Sequence, residues 1–308
     1  MIACAGLTNA VLSLLLLGQS PRQPPTFPAG TEVVRLDVLA AAGGVPLVGL
    51  AADDFEVRDN GVVQDARLSP ATSLHWDVVV LFDVSQSVEG AKLEALRASA
   101  RGTAAALRTG DRIALLTFSD GVELRAPLSA STVALRDALD DLRAGGSTAL
   151  FDALFAGLAM SRTNAARPLL LLFTDGRDTV SWLSADDVVA AARYSEASIY
   201  AVSTSPVKPL PSSPPTWASV AESSDDEFLR RVTRETGGRL LHAGSASEVH
   251  ARLAEALAEI GARYVLTYEP SGVAREGWHQ VQVRLRHKRG TVVVRPSYFR
   301  PPSGAHER

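Results

Sequence analysis

The sequence predicts an α/β chain: a doubly wound, mostly parallel sheet, with a small all-β domain formed by the N- and C-terminal flanks. Three observations predict it. Residues 77–83, 169–173 and 199–202 are near-continuous apolar runs, the pattern of parallel strands buried on both faces. Segments with helical apolar spacing alternate with them, and such alternation winds a sheet with right-handed crossovers. Outside that zone the apolar period falls to two, which marks half-buried strands.

With 308 residues the chain is long enough for one large domain and a smaller one. Apolar residues make up 46% and charged residues 21%, as in soluble globular proteins. A formal net charge of -3 gives no general attraction to nucleic acid or anionic membranes. The one basic run, at 284–289, reads as a strand edge.

Taken in order, residues 1–25 read as a leader. Residues 10–18 are apolar, Gln19 and Ser20 follow, and prolines stand at 21, 24 and 25. This is the form of a short signal-peptide core and cleavage region, too short to span a bilayer. No Lys or Arg precedes it, so a disordered N-terminus or a misplaced start codon would read the same way. Export to the periplasm or cell surface is the expectation. Cys4, the only cysteine, rules out an intrachain disulfide and lies ahead of the apolar core, where a lipoprotein cleavage cysteine would not sit.

Residues 30–72 form the first β flank: Val34, Leu36 and Val38 alternate with polar residues, Gly43-Gly44 offers a turn, and Asn60-Gly61 signals a hairpin after Phe55 and Val57. The α/β zone spans 76–262. After the 77–83 strand, Leu93, Leu96, Ala100, Ala104 and Leu107 share one helical face. A strand at 113–118, helices at 135–142 and from about Thr148, and further helices at 185–194, 227–236 and 247–260 complete the zone. In the last helix Val249, Leu253, Ala256, Leu257 and Ile260 face inward. Between 204 and 225 a loop with five prolines is expected. The second β flank, 263–300, carries alternation at Val281, Val283 and Leu285, and 301–308 is a tail. Neither flank holds enough strands to be stable alone, so the two are expected to pair into one small sandwich.

In an open α/β sheet, ligands bind beyond the carboxyl ends of the strands, and oxygen-bearing side chains gather there. The first central strand ends in Asp83-Val84-Ser85-Gln86-Ser87, and another ends before Thr174-Asp175-Gly176. Gly145-Gly146-Ser147-Thr148 opens a helix between them. Singly, each has a structural reading: Asp83 and Thr148 can cap helices, and Asp-Gly is a common turn. Together they make a D-x-S-x-S…T…D pattern, which resembles the metal-ion-dependent adhesion site of von Willebrand factor A and integrin I domains.

That resemblance implies a Rossmann-like fold and a role for each residue. Ser85, Ser87 and Thr148 would offer hydroxyl oxygens, and Asp83 and Asp175 would act mainly through bound water. All-oxygen, roughly octahedral coordination suits Mg²⁺, or Mn²⁺ as a substitute. With few carboxylates touching it, the ion would keep net positive charge and an open position for a partner's Asp or Glu. The stretch from Gly146 to Asp152 resembles the G-G-T-A-L-Y-D segment of bacterial members, where Asp152 either braces a loop or simply suits the first helical turn. Glu235-Thr236-Gly237-Gly238-Arg239 resembles their E-T-G-G-R segment. The flanks, with Asp53-Asp54-Phe55-Glu56-Val57 and Tyr264-Val265-Leu266-Thr267-Tyr268, resemble the acidobacterial VWFA-related family.

The expected function is therefore metal-dependent protein binding, in adhesion or complex assembly, and not catalysis. No Gly-x-Ser-x-Gly elbow or P-loop is present. The histidines at 75, 242, 250, 279, 287 and 306 show no metal-ligand spacing. Asp83-x-Ser85 lacks the second aspartate of a phosphoryl-transfer pair. The alternatives are a structural protein with a vestigial metal site and, less favoured, a metal-dependent hydrolase.

Overall fold

The computed structural model describes residues 33–69, 74–161, 166–204 and 217–302, with the backbone alone for 217–225. The expected leader, Cys4, the proline cluster at 206–215 and the tail beyond 302 lie outside the described residues.

Strand β1 (Val34–Ala42) turns through Gly43 and Gly44, at φ 58° and 81°, into the short β2 (Val45–Pro46). A hairpin of β3 (Phe55–Asp59) and β4 (Val62–Gln64) precedes β5 (Arg67–Ser69). Its turn is Asn60 and Gly61 at φ 45° and 82°, the left-handed pair that matches the twist of the flanking strands. Then come β6 (Trp76–Asp83), α1 (Ala91–Ala106), β7 (Arg112–Phe118), β8 (Val122–Ser129), α2 (Val133–Asp140) and α3 (Leu150–Met160). The series continues with β9 (Arg167–Thr174), α4 (Ala185–Tyr194), β10 (Ser198–Ser203), α5 (Trp217–Glu235), β11 (Arg239–His242) and α6 (Ala246–Gly261). Four strands follow: β12 (Tyr264–Tyr268), β13 (Gly277–Leu285), β14 (Thr291–Val293) and β15 (Ser297–Arg300).

The main sheet has the order β11-β10-β9-β6-β7-β8, parallel throughout except for β8. Every residue of β6 and β9 is buried, because helices cover both faces. The strand period of two divides the apolar run between two cores. Val78, Val80 and Phe82 pack with residues of α1, α2 and α6, while Val79 and Leu81 pack with α3, α4 and α5. The chain leaves β6 toward β7 on one side and returns at β9 on the other, so the carboxyl ends of β6 and β9 flank the switch point of the sheet.

Three elements of the α/β zone differ from the sequence reading, one of them β11, a four-residue edge strand that was not anticipated. β8, between Phe118 and α2, was not anticipated: it is an antiparallel edge strand with a register shift near Leu115, and it carries Pro127, which only an edge or a bulge tolerates. The loop expected at 204–225 ends earlier, since α5 begins at Trp217. No proline or glycine follows Pro215 until Gly237, so nothing local breaks the helix there.

The flanks form two small sheets that each draw strands from both sides of the α/β domain. β1 pairs antiparallel with β12 (Leu36 opposite Leu266) and with β14, and β5 pairs with β12. β3 pairs with β13 (Val57 opposite Val283), flanked by β4 and β15. Leu36, Val38, Phe55, Val57, Leu266 and Val283 share the core between them. At the junction with the α/β domain, the buried Arg167 donates from Nε to Asp37 Oδ1 at 2.7 Å and stacks over Trp76, 3.7 Å from the ring centroid. The equally buried Arg263, between α6 and β12, donates to the carbonyls of Asp37 (2.9 Å) and Gly237 and to the Tyr200 hydroxyl (3.1 Å).

Candidate metal centre

The site grows from the end of β6. Asp83 is fully buried, and its Oδ1 accepts from the Ser85 amide (2.9 Å) and the Ser85 hydroxyl (2.5 Å). Its Oδ2 accepts from the Thr174 hydroxyl at the end of β9 (2.8 Å). A short-range bond of aspartate to the amide two residues on folds the chain back and brings the hydroxyl oxygens of Ser85 and Ser87 to 3.2 Å. Burial raises the Asp83 pKa above the usual carboxylate range; the hydroxyl and amide donors oppose that shift, and the negative charge of nearby Asp175 adds to it. No Lys or Arg pairs with Asp83 among the described residues.

The loop that carries Thr148 is joined to this one through its backbone. The Gly145 amide donates to the Val84 carbonyl (2.8 Å), and the Gln86 amide donates to the Gly146 carbonyl (3.1 Å). Gly146 stands at φ 82°, and a Cβ there would come 2.6 Å from Asp120 Oδ2. Asp120 needs that space to accept the Ser147 amide at 2.7 Å. Thr148 is buried, and its amide and carbonyl are taken by the Thr179 hydroxyl and amide at 2.9 Å and 2.8 Å. Its own hydroxyl makes no hydrogen bond among the described residues.

Asp175 follows Thr174 and is half-buried; its Oδ1 accepts the Arg177 amide at 3.3 Å. The loop beyond it is fastened to the start of α3. Asp152 accepts the amides of Trp182 and Leu183, both at 3.0 Å, and the Phe151 amide donates to the Ser181 hydroxyl at 3.1 Å. Asp152 thus braces the loop. Thr174, Asp120 and Thr179 had no assigned role in the sequence reading. Thr174 and Asp120 stand just beyond or at the ends of β9 and β7, the position that could have flagged them.

Asp83, Ser85 and Ser87 therefore form one hydrogen-bonded cluster. Asp175 lies within electrostatic reach of it, and the loop that leads to Thr148 is joined to it through the backbone of Gly145 and Gly146. The cluster runs from a buried floor at Asp83 to the exposed Ser87. No group of three or more His, Cys, Asp or Glu that could hold a metal occurs among the described residues, so any ion here would depend on hydroxyls. The donor set fits that requirement. A buried carboxylate with no counter-charge is costly, and a hard divalent cation prefers oxygen ligands of this kind.

The family model for the von Willebrand factor type A domain matches residues 77–250, more than half of the chain. Among solved structures, a von Willebrand factor type A protein from Catenulispora acidiphila is 14% identical with a TM-score of 0.51, over 90% of this chain and 76% of that one. An aerotolerance-related membrane protein from Bacteroides fragilis is 13% identical (TM-score 0.43), over 59% of this chain and 98% of that one. Proximal thread matrix protein 1 from the mussel byssus, solved with a zinc-occupied MIDAS motif, is 15% identical (TM-score 0.49), over 65% and 49%. No curated protein matches. At 14% identity the first of these likenesses speaks for the fold alone. The match to the family model, with the strand order and the loops at the switch point, shows that the chain belongs to the von Willebrand factor type A domain family.

Proposed function

We propose that the chain is a metal-dependent protein-binding module, in which Asp83, Ser85, Ser87, Thr148 and Asp175 hold Mg²⁺, with Mn²⁺ as a substitute, to capture an Asp or Glu side chain of a partner. Domains of this family are often metal-dependent adhesion or interaction modules and are generally non-enzymatic. The observation that carries the reading is Asp83: a fully buried carboxylate with only hydroxyl and amide donors around it. When bound, the cation would supply the Lewis-acid attraction for an incoming carboxylate oxygen. This chain's residues would do the rest. Asp83 and Asp175 provide negative charge, and the Ser85, Ser87 and Thr148 hydroxyls provide neutral oxygens. The bonds between the 84–86 and 145–146 backbones fix the spacing of the two loops.

The proposal extends to the molecule's setting. The chain would be exported, acting in the periplasm or at the cell surface. No helix among the described residues is long and apolar enough to cross a membrane. The flanking strands would serve as one host domain into which the α/β domain is inserted.

Calorimetric titration with Mg²⁺ tests the reading. Saturating metal should stabilise the wild type, by about 2.7 kcal/mol at a hundredfold excess over Kd, and Asp83→Ala should lose that stabilisation while keeping its circular dichroism. A wild type that Mg²⁺ does not stabilise would instead favour a structural protein with a vestigial site.

A further inference from the structure

A groove of about 590 Å³ opens at the β11 edge of the main sheet, three strands from β6. One wall comes from α5 and β11, with Arg230, Arg234 and His242, and the other from Val292, Val293 and Val294 on and after β14. Among the described residues β11 and β14 are each the last strand of their sheet, so each turns one backbone edge away from its neighbours. The two walls meet at Gly237, at φ 70°, where a Cβ would collide with the backbone of Arg295.

The charge of the groove opposes that of the chain. Among the described residues no Asp or Glu lines it, although the chain as a whole carries -3. Arg239, which also lines it, is held by Glu259. Among the described residues Arg230 and Arg234 form surface pairs, with Asp226 at 3.2 Å and Glu235 at 3.9 Å. Exposed pairs of this sort contribute little, and incoming carboxylates can replace them. The Nδ1 of His242 is buried with no hydrogen bond among the described residues, which leaves a polar atom in the wall without the partner that buried groups normally have.

We propose that this groove binds an extended acidic segment of a partner protein, which adds as a strand along β14 and places its carboxylates on Arg230 and Arg234. A strand's side chains alternate between faces. Acidic residues would meet the arginines while aliphatic residues between them cover the valine wall, and main-chain bonds to the free edge would supply affinity. Arginine forks suit carboxylates geometrically. The proposal does not depend on the metal centre.

The test uses the full chain with chelator present, so the metal centre is silent, and a short fluorescein-labelled peptide of alternating Glu and Val as the probe. Fluorescence anisotropy should show saturable binding, and Arg230→Glu with Arg234→Glu should weaken it at least about tenfold. The matching Lys–Val peptide should bind that charge-reversed variant and not the wild type, a rescue that a misfolded variant could not give. Amides of β14 should gain protection from hydrogen exchange in the wild-type complex. Absence of binding, indifference to charge reversal, or protection confined to other strands would overturn the proposal. So would full displacement of the peptide by inorganic phosphate, which would mark a small-anion site. Self-association of the chain abolished by the same charge reversal would make a second copy the occupant and overturn it as well.

Discussion

At the scale of single residues, the candidate centre depends on positions whose backbone leaves little choice. Gly146 is the clearest. It stands at φ 82° with Asp120 Oδ2 only 2.6 Å from where a Cβ would be, so Gly146→Ala combines left-handed strain with a clash. The expected cost is above about 1 kcal/mol in urea unfolding. Because the same turn bonds to Gln86, Mg²⁺ affinity should fall too. Unchanged affinity would mean that the spacing of the two loops is not what organises the site. The five ligand candidates were proposed because they stand at or beyond apolar strand ends or at the opening of a helix, and because together they resemble a known metal motif. Their supports were harder to read. Thr174 reaches Asp83 across 91 positions and Thr179 reaches Thr148 across 31. Such contacts follow from strand order, which a single sequence does not display.

Among elements, the parallel strands were legible for a physical reason. A strand buried on both faces leaves an unbroken apolar run, as at β6 and β9. β8 left none, since an edge strand with one open face alternates weakly and carries Pro127, which reads as a breaker. The start of α5 was hidden because the segment after the prolines is rich in Ser, Ala and acidic residues and shows no apolar stripe. α6 was legible from its stripe, and Val249, Leu253, Ala256 and Ile260 are buried as expected, with Leu257 partly so. Leu253 packs in the core shared with α1, and a Cβ on Gly102 would lie 3.8 Å from its Cδ2. Leu253→Ala should cost about 2–5 kcal/mol in chemical unfolding. The variant also separates two roles for this helix. If α6 shifts when the metal centre takes a ligand, loosening its packing should alter ligand affinity as well as stability. A change in stability alone would leave the helix a fixed closure of the domain.

Across the whole molecule, the α/β domain and the sandwich meet through buried arginines. Arg263 sits in the short link between α6 and β12 and holds Asp37 of β1, Tyr200 of β10 and Gly237 before β11. Arg263→Ala would leave those acceptors without their buried donor, at an expected cost of about 3 kcal/mol or more. Thermal unfolding of the variant should show the sandwich and the α/β domain melting less cooperatively, and a single unchanged transition would mean that the junction contributes little. The account as a whole rests on one ion at the switch point of the sheet. Mn²⁺ added to isotope-labelled protein tests that most directly, since a paramagnetic ion broadens the amide signals nearest to it. The expected result is selective broadening at residues 84–87, 146–149 and 175–177, absent in Asp83→Ala. Broadening centred elsewhere, or equal broadening in the variant, would contradict the claim that these loops form a metal centre.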